Sequence, residues 1–193
     1  MAKLPHLSDL QKAGYPPLSI QERGRQKLPS ESTKFPKFVT RQSLHMSHTA
    51  FGEFFPEIAD KETRVVTVID QAIKDLPLGA YALIDLYCTD PDCDCRNVYI
   101  HVVHEEFPGP IATITYGWEN LTYYKEWMGG GDDDYILTQF KGPALAIGAR
   151  QSQFAGELLR IFEDILQTDK EYANRLQRHY RLVKGFIKNK NLR

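Results

Sequence analysis

The chain has 193 residues, a net charge of −1, 42% hydrophobic residues and 25% charged ones. That length supports one domain with a real core, so disulfide staples are not needed to fold it, and three cysteines are too few for a disulfide scaffold. No apolar run approaches the length of a bilayer crossing and residues 1–10 lack the apolar stretch of an export signal, so the sequence reads as that of a cytoplasmic protein.

The small net charge hides three zones. Residues 1–38 carry a net of +4, residues 39–174 a net of −12, and residues 175–193 a net of +7 with no acid among them. Such patterning fits basic ends folded onto an acidic body. It also fits ends that meet an external polyanion such as nucleic acid.

Residues 1–56 contain six of the eleven prolines, a density that breaks helices and blocks central strands. They are expected to form an extended, basic arm, with one short helix near Ser8–Ala13. The arm's aromatic side chains offer a contact for a protein partner or a second copy of the chain. Residues 57–193 are expected to form a single α+β metal-binding domain. Within it, Val65, Ile69, Ala72, Ile73 and Leu76 recur at helical spacing over residues 60–76. Asp60 suits the N-cap and Pro77 the stop, although the β-branched run also suits a strand.

Three strands are expected next. Tyr81–Cys88 alternates Ala82, Ile84 and Leu86 against Asp85. Asn97–Glu105 alternates Val98, Ile100 and Val102 against Tyr99 and His101. Pro110–Trp118 sets Ile111, Thr113 and Thr115 against Ala112, Ile114 and Tyr116. Short links imply an antiparallel β-meander. Helices are expected over Glu119–Met128, Gln151–Leu166 and Asp169–Asn189, with an acidic loop at residues 129–134 between the first two. Phe154, Leu158, Ile161, Phe162 and Ile165 share one face of the second helix; Tyr172, Leu176, Tyr180, Val183 and Phe186 share one face of the third. Thr168 or Asp169 suits the cap of that third helix. Strands first and helices after give an α+β fold, with the C-terminal helices packed on one face of the sheet.

All three cysteines lie within eight residues, as Cys88-x4-Cys93-x-Cys95. The segment is also the turn between the first two expected strands, so one hairpin tip can gather three sulfurs. Thiolates at that spacing suit zinc, which takes four tetrahedral N or S ligands; iron is not excluded. Pro91 stiffens the turn and Arg96 can offset the thiolate charge. A calcium loop is excluded, because its sixth position would be Cys95 rather than Gly and its twelfth His101 rather than Glu. His101 and His104 are poor fourth ligands, since a straight strand at about 3.3 Å per residue puts them about 20 and 30 Å from the tip. His179, on the inward side of the last helix, is the preferred fourth ligand. His45, His48, Asp92 and water remain open.

Arg175, Arg178, Arg181, Lys184 and Lys188 form a basic stripe on the last helix, suited to phosphate contact and equally to a solvated face that complements the helix dipole. The sequence favours a non-enzymatic protein in which zinc has a structural role and function runs through protein or nucleic-acid contacts. A zinc enzyme with an open position, with Glu105, Glu106 or Glu119 as its base, is one alternative. A thiol-redox role for Cys93 and Cys95 is another, which the flanking Asp92 and Asp94 oppose.

Cys88–Val98, Thr113–Glu119, Trp127, Gln151-Ser152 and Arg175–Tyr180 together resemble a family of uncharacterised bacterial proteins. That family shares a C-x4-C-D-C-R hairpin, an aromatic strand and a C-terminal Arg-His-Tyr helix. The resemblance spans residues 79–186 and implies a metal-binding domain, with no activity attached. Where its members carry a polar stretch before the Gln-Ser pair, this chain has the mostly apolar Ala144–Arg150.

Overall fold

A computed structural model describes residues 48–69 and 76–191. The expected Ser8–Ala13 helix, His45 and most of the arm lie outside the described residues. In chain order the structure has β1 (His48–Ala50), α1 (Phe51–Phe54), α2 (Pro56–Glu62), β2 (Arg64–Val68), β3 (Gly79–Cys88), β4 (Asn97–His104) and β5 (Ala112–Gly117). There follow α3 (Leu121–Trp127), α4 (Asp133–Ile136), a π-helical turn (Leu137–Lys141), β6 (Ala144–Leu145), α5 (Ala155–Thr168) and α6 (Lys170–Asn191). The six strands form one antiparallel sheet in which β3, β4 and β5 are the expected meander and β6 lies beyond β5.

Residues 60–76 do not form one helix. Pro56 opens α2, where its fixed φ suits the first turn. The β-branched Val65, Val66, Thr67 and Val68 instead extend as β2 against β3, because branching at Cβ fits a pleated surface better than a helix. Residues 70–75 lie outside the described residues.

β3 carries the architecture. One of its edges is shared by two short strands: β2 pairs with Gly79–Leu83 and β1 with Leu86–Cys88. β1 and β2 therefore make one interrupted edge strand. The break falls opposite Ile84 and Asp85, where residues 51–63 leave the sheet as α1 and α2. Residues 48–56, read from sequence as the end of the arm, thus pack into the body: Phe51 is fully buried in the main core.

The register settles which side chains face the helices. Tyr81, Leu83, Asp85 and Tyr87 of β3 lie on the same face as Val98, Ile100 and Val102 of β4 and Ala112, Ile114 and Tyr116 of β5. This face packs on α5 and α6 through Leu158, Ile161, Phe162, Ile165, Tyr172, Leu176, Tyr180 and Val183. The β3 pattern thus turns Asp85 inward, beneath the helices. Ala82, Leu86 and Val103 on the opposite face are buried too, so the alternation marks two covered faces. Near β5 the π-helical turn helps cover that second face: Asn97 and Thr115 hydrogen-bond the Phe140 and Gln139 carbonyls at 2.7 and 2.9 Å.

The acidic segment after Gly131 is structured, with the Asp132 carboxylate capping α4 at the Asp134 N–H. Asp169 caps α6 by accepting the Tyr172 N–H at 2.9 Å. It also pairs with Arg64 of β2 at 2.8 Å. At 22 residues α6 is about 33 Å long, enough to run from that cap to the β3–β4 hairpin tip. Replacing Phe51 with Ala opens a cavity under α6 and should cost about 3–5 kcal/mol, read as a lowered urea midpoint with an unchanged slope.

Candidate metal centre

Cys88 ends β3, and Cys93 and Cys95 lie in the loop that leads to β4. Their three sulfurs lie within 4.8 Å of one another, a group able to hold a metal ion. Cys88 and Cys95 are buried and Cys93 half-buried. The local sequence dictates the turn. Asp90 Oδ1 accepts the Asp92 N–H at 2.9 Å across Pro91, and the Cys93 N–H returns to the Asp90 carbonyl, an Asx-turn arrangement. Arg96 then adopts φ of 44°, a left-handed conformation uncommon for a side chain with a Cβ.

Side chains from two helices hold this shape. Tyr124 of α3 donates to the Arg96 carbonyl at 2.8 Å, and Tyr123 donates to the Asp94 carbonyl. From α6, Tyr180 donates to Asp94 Oδ1 at 2.9 Å, and Lys184 Nζ donates to the Asp90 carbonyl at 2.7 Å. The Arg96 guanidinium binds Asp94 and Glu119 and lies 4.6 Å from the centre of the Tyr123 ring. It holds the Asp94 carboxyl below its ordinary range. Arg96 is thus committed away from the sulfurs. Lys184, 8% exposed, is the cation that acts on them.

The three thiols behave as one unit. A hydrogen bond with Cys95, aided by the Asp90 N–H and the Lys184 charge, outweighs burial and brings Cys88 down to about 5. Burial and the neighbouring Cys88 charge push Cys93 up. Its hydrogen bond to Cys88, and burial, push Cys95 well up. Together these shifts favour Cys88 as the first of the three to ionise. In a tetrahedral zinc site with Zn–S near 2.3 Å, sulfurs stand about 3.8 Å apart, so these three need to close by about 1 Å at most.

The expected fourth ligand is elsewhere. Only the cysteines share the cluster among the described residues. His179 hydrogen-bonds Asp85 through Nδ1 and Glu62 through Nε2, both at 2.8 Å. Its ring stacks on Phe51 at 3.7 Å between centroids. α6 does cross the hairpin tip as expected, but it presents Tyr180 and Lys184 there.

The basic stripe divides as well. Arg175 donates to the Glu62 carbonyl at 2.6 Å, Arg178 pairs with the Glu62 carboxylate, and Lys184 holds the hairpin. Arg181 and Lys188 point to solvent. The other histidines of β4 stand away from the sulfurs: His104 bonds the Leu78 carbonyl and the Glu106 N–H.

One residue near the site was given little weight by sequence. His48 of β1 is the register partner of Cys88. Burial, then the Lys184 and His101 charges, bring its pKa down to about 4. Tyr123, Tyr124 and the site role of Lys184 had no signal in the spacing, because they act through chain reversals that the sequence does not specify.

The fold and site define an α+β protein with a three-cysteine centre at a hairpin tip. The chain matches no family model, no curated protein and no solved structure. Among the described residues no helix is long and apolar enough to cross a membrane.

The His179 junction makes a pH prediction. Burial alone would raise the Glu62 pKa, but the His179 hydrogen bond and the Arg178 and Arg175 charges hold it below its usual value. Its stabilising effect is complete above the unfolded value of about 4.3 and is lost as pH falls through the lower folded value. The melting temperature should therefore drop on acidification below about pH 4.3. A Glu62→Gln variant should show a shallower decline in the same series.

Proposed function

We propose that this chain is a zinc protein whose metal has a structural role, and that it works through contacts with partners rather than by catalysis. The observation that supports this most directly is the mutual approach of three sulfurs within 4.8 Å on a loop clamped by two helices. Soft thiolate ligands favour zinc over the oxygen-seeking magnesium and calcium ions. Three thiolates already donate much charge to a bound zinc, which makes it a weak Lewis acid and argues against an activated water. A reduced thiol centre fits the cytoplasm, where cysteines are kept free. Kinship with the bacterial proteins that share the C-x4-C-D-C-R hairpin belongs to the same reading. For partner contact, Arg181 and Lys188 remain the outward cations of α6, and polyanion binding through them would weaken steeply with added salt.

Elemental analysis of the reduced wild-type chain and of Cys93→Ser, each with melting curves before and after chelation, tests the proposal. The expected result is one zinc per wild-type chain and none in the variant. Chelation should lower the wild-type melting temperature by about 10 °C, the effect of losing a ligand held near a thousand times its Kd. Metal that leaves without changing the melting curve would point to an open, reactive site. A reduced, anaerobic chain without metal would refute the zinc reading.

A further inference from the structure

Three cysteines fill three of the four positions that zinc takes, and the surroundings single out one side chain for the fourth. His48 lies directly opposite Cys88 in the β1–β3 pairing, so the two side chains leave the same face of the sheet with Cβ atoms about 5 Å apart. The His48 ring meets the Tyr99 ring edge-on at 4.7 Å between centroids. Tyr99 belongs to β4, on the far side of β3, so the imidazole reaches over β3 beside Cys88. Both ring nitrogens are buried, and neither has a hydrogen-bond partner among the described residues. Buried polar atoms are almost always paired, and an imidazole with two idle nitrogens beside a thiol cluster has the character of a ligand awaiting its ion.

Asp92 is exposed and lies outside the group of sulfurs, and the other nearby donors are engaged. Asp90 Oδ1 accepts the Asp92 N–H, and Asp94 is held by Arg96 and Tyr180. His179 lies between two carboxylates, and His104 is bonded at both nitrogens. The His48 nitrogens stand outside the 4.8 Å group of sulfurs. Ligation would require the His48 side chain to turn from Tyr99 towards Cys88, its register partner.

Building on the zinc reading, we propose that His48 is the fourth ligand of a Cys3His centre, so that metal binding fastens β1 to the β3–β4 hairpin.

The test uses the full chain loaded with zinc. X-ray absorption should give three sulfurs near 2.3 Å and one nitrogen near 2.0 Å, the distances usual for these ligands. His48→Ala should replace the nitrogen by an oxygen and weaken zinc by about tenfold or more, since even the partners of metal ligands are worth that much. His48→Cys should restore tight binding with four sulfurs, which a purely structural role would not do. Zinc should slow hydrogen exchange at Thr49 and Ala50 in the wild type and not in His48→Ala. Wild-type affinity and an unchanged nitrogen signal in His48→Ala would overturn the assignment, as would an oxygen in the wild-type site; both leave the three-cysteine centre standing. A wild-type chain that binds no zinc would overturn the centre and the ligand together.

Discussion

A buried histidine held between two carboxylates organises this fold. Asp85 sits on the helix-facing side of the central strand, among apolar side chains, where an unpaired carboxylate would be costly. His179 and the Tyr87 hydroxyl satisfy it. The other nitrogen of His179 takes Glu62, which two arginines of α6 also grip. Phe51 closes the ring face. Phe51 and Glu62 lie at the start and near the end of the excursion that interrupts the edge strand, and Asp85 lies opposite the gap. One imidazole thus fixes α6, α1, α2 and β3 to one another, and the break in the edge strand is where it enters.

That junction also sets where α6 points beyond it. With His179 anchored over Asp85, the next residue reaches the hairpin and so does the residue one turn later. Tyr180 and Lys184 meet the tip while α3 grips it from another side. The cysteine loop is therefore held by groups that do not depend on the sulfurs. Preorganisation of this kind lowers the ordering cost of binding. The positive charge of Lys184 beside Cys88 answers the charge that gathers there when thiols ionise.

Much of this was legible in the sequence. Alternation over β3, β4 and β5 and the 3.6-residue spacing of α5 and α6 located the meander and the helices, and the spacing of the cysteines located the centre. Three things were not legible, each because it depends on distant pairing. The spacing of Val65, Ile69 and Leu76 satisfies a helix, and only β3's open edge makes Val65–Val68 a strand. The apolar Ala82, Ile84 and Leu86 outvote Asp85 locally, yet register and His179 turn Asp85 inward. Choosing among α6 residues at the site required the angle of the helix to within one residue. His179, Tyr180 and Val183 all fall towards the inward side of α6, and periodicity alone does not say which of them meets the tip.

The interrupted edge strand has one more consequence. A long unpaired strand edge is a template for another chain, and proteins blunt such edges with short or broken strands. Here β1 spans three residues, β2 five and β6 two. Among the described residues, neither side of the sheet offers an uninterrupted ladder for a foreign strand to extend. The break that admits His179 therefore also leaves the described edge strands poor templates for edge-to-edge pairing.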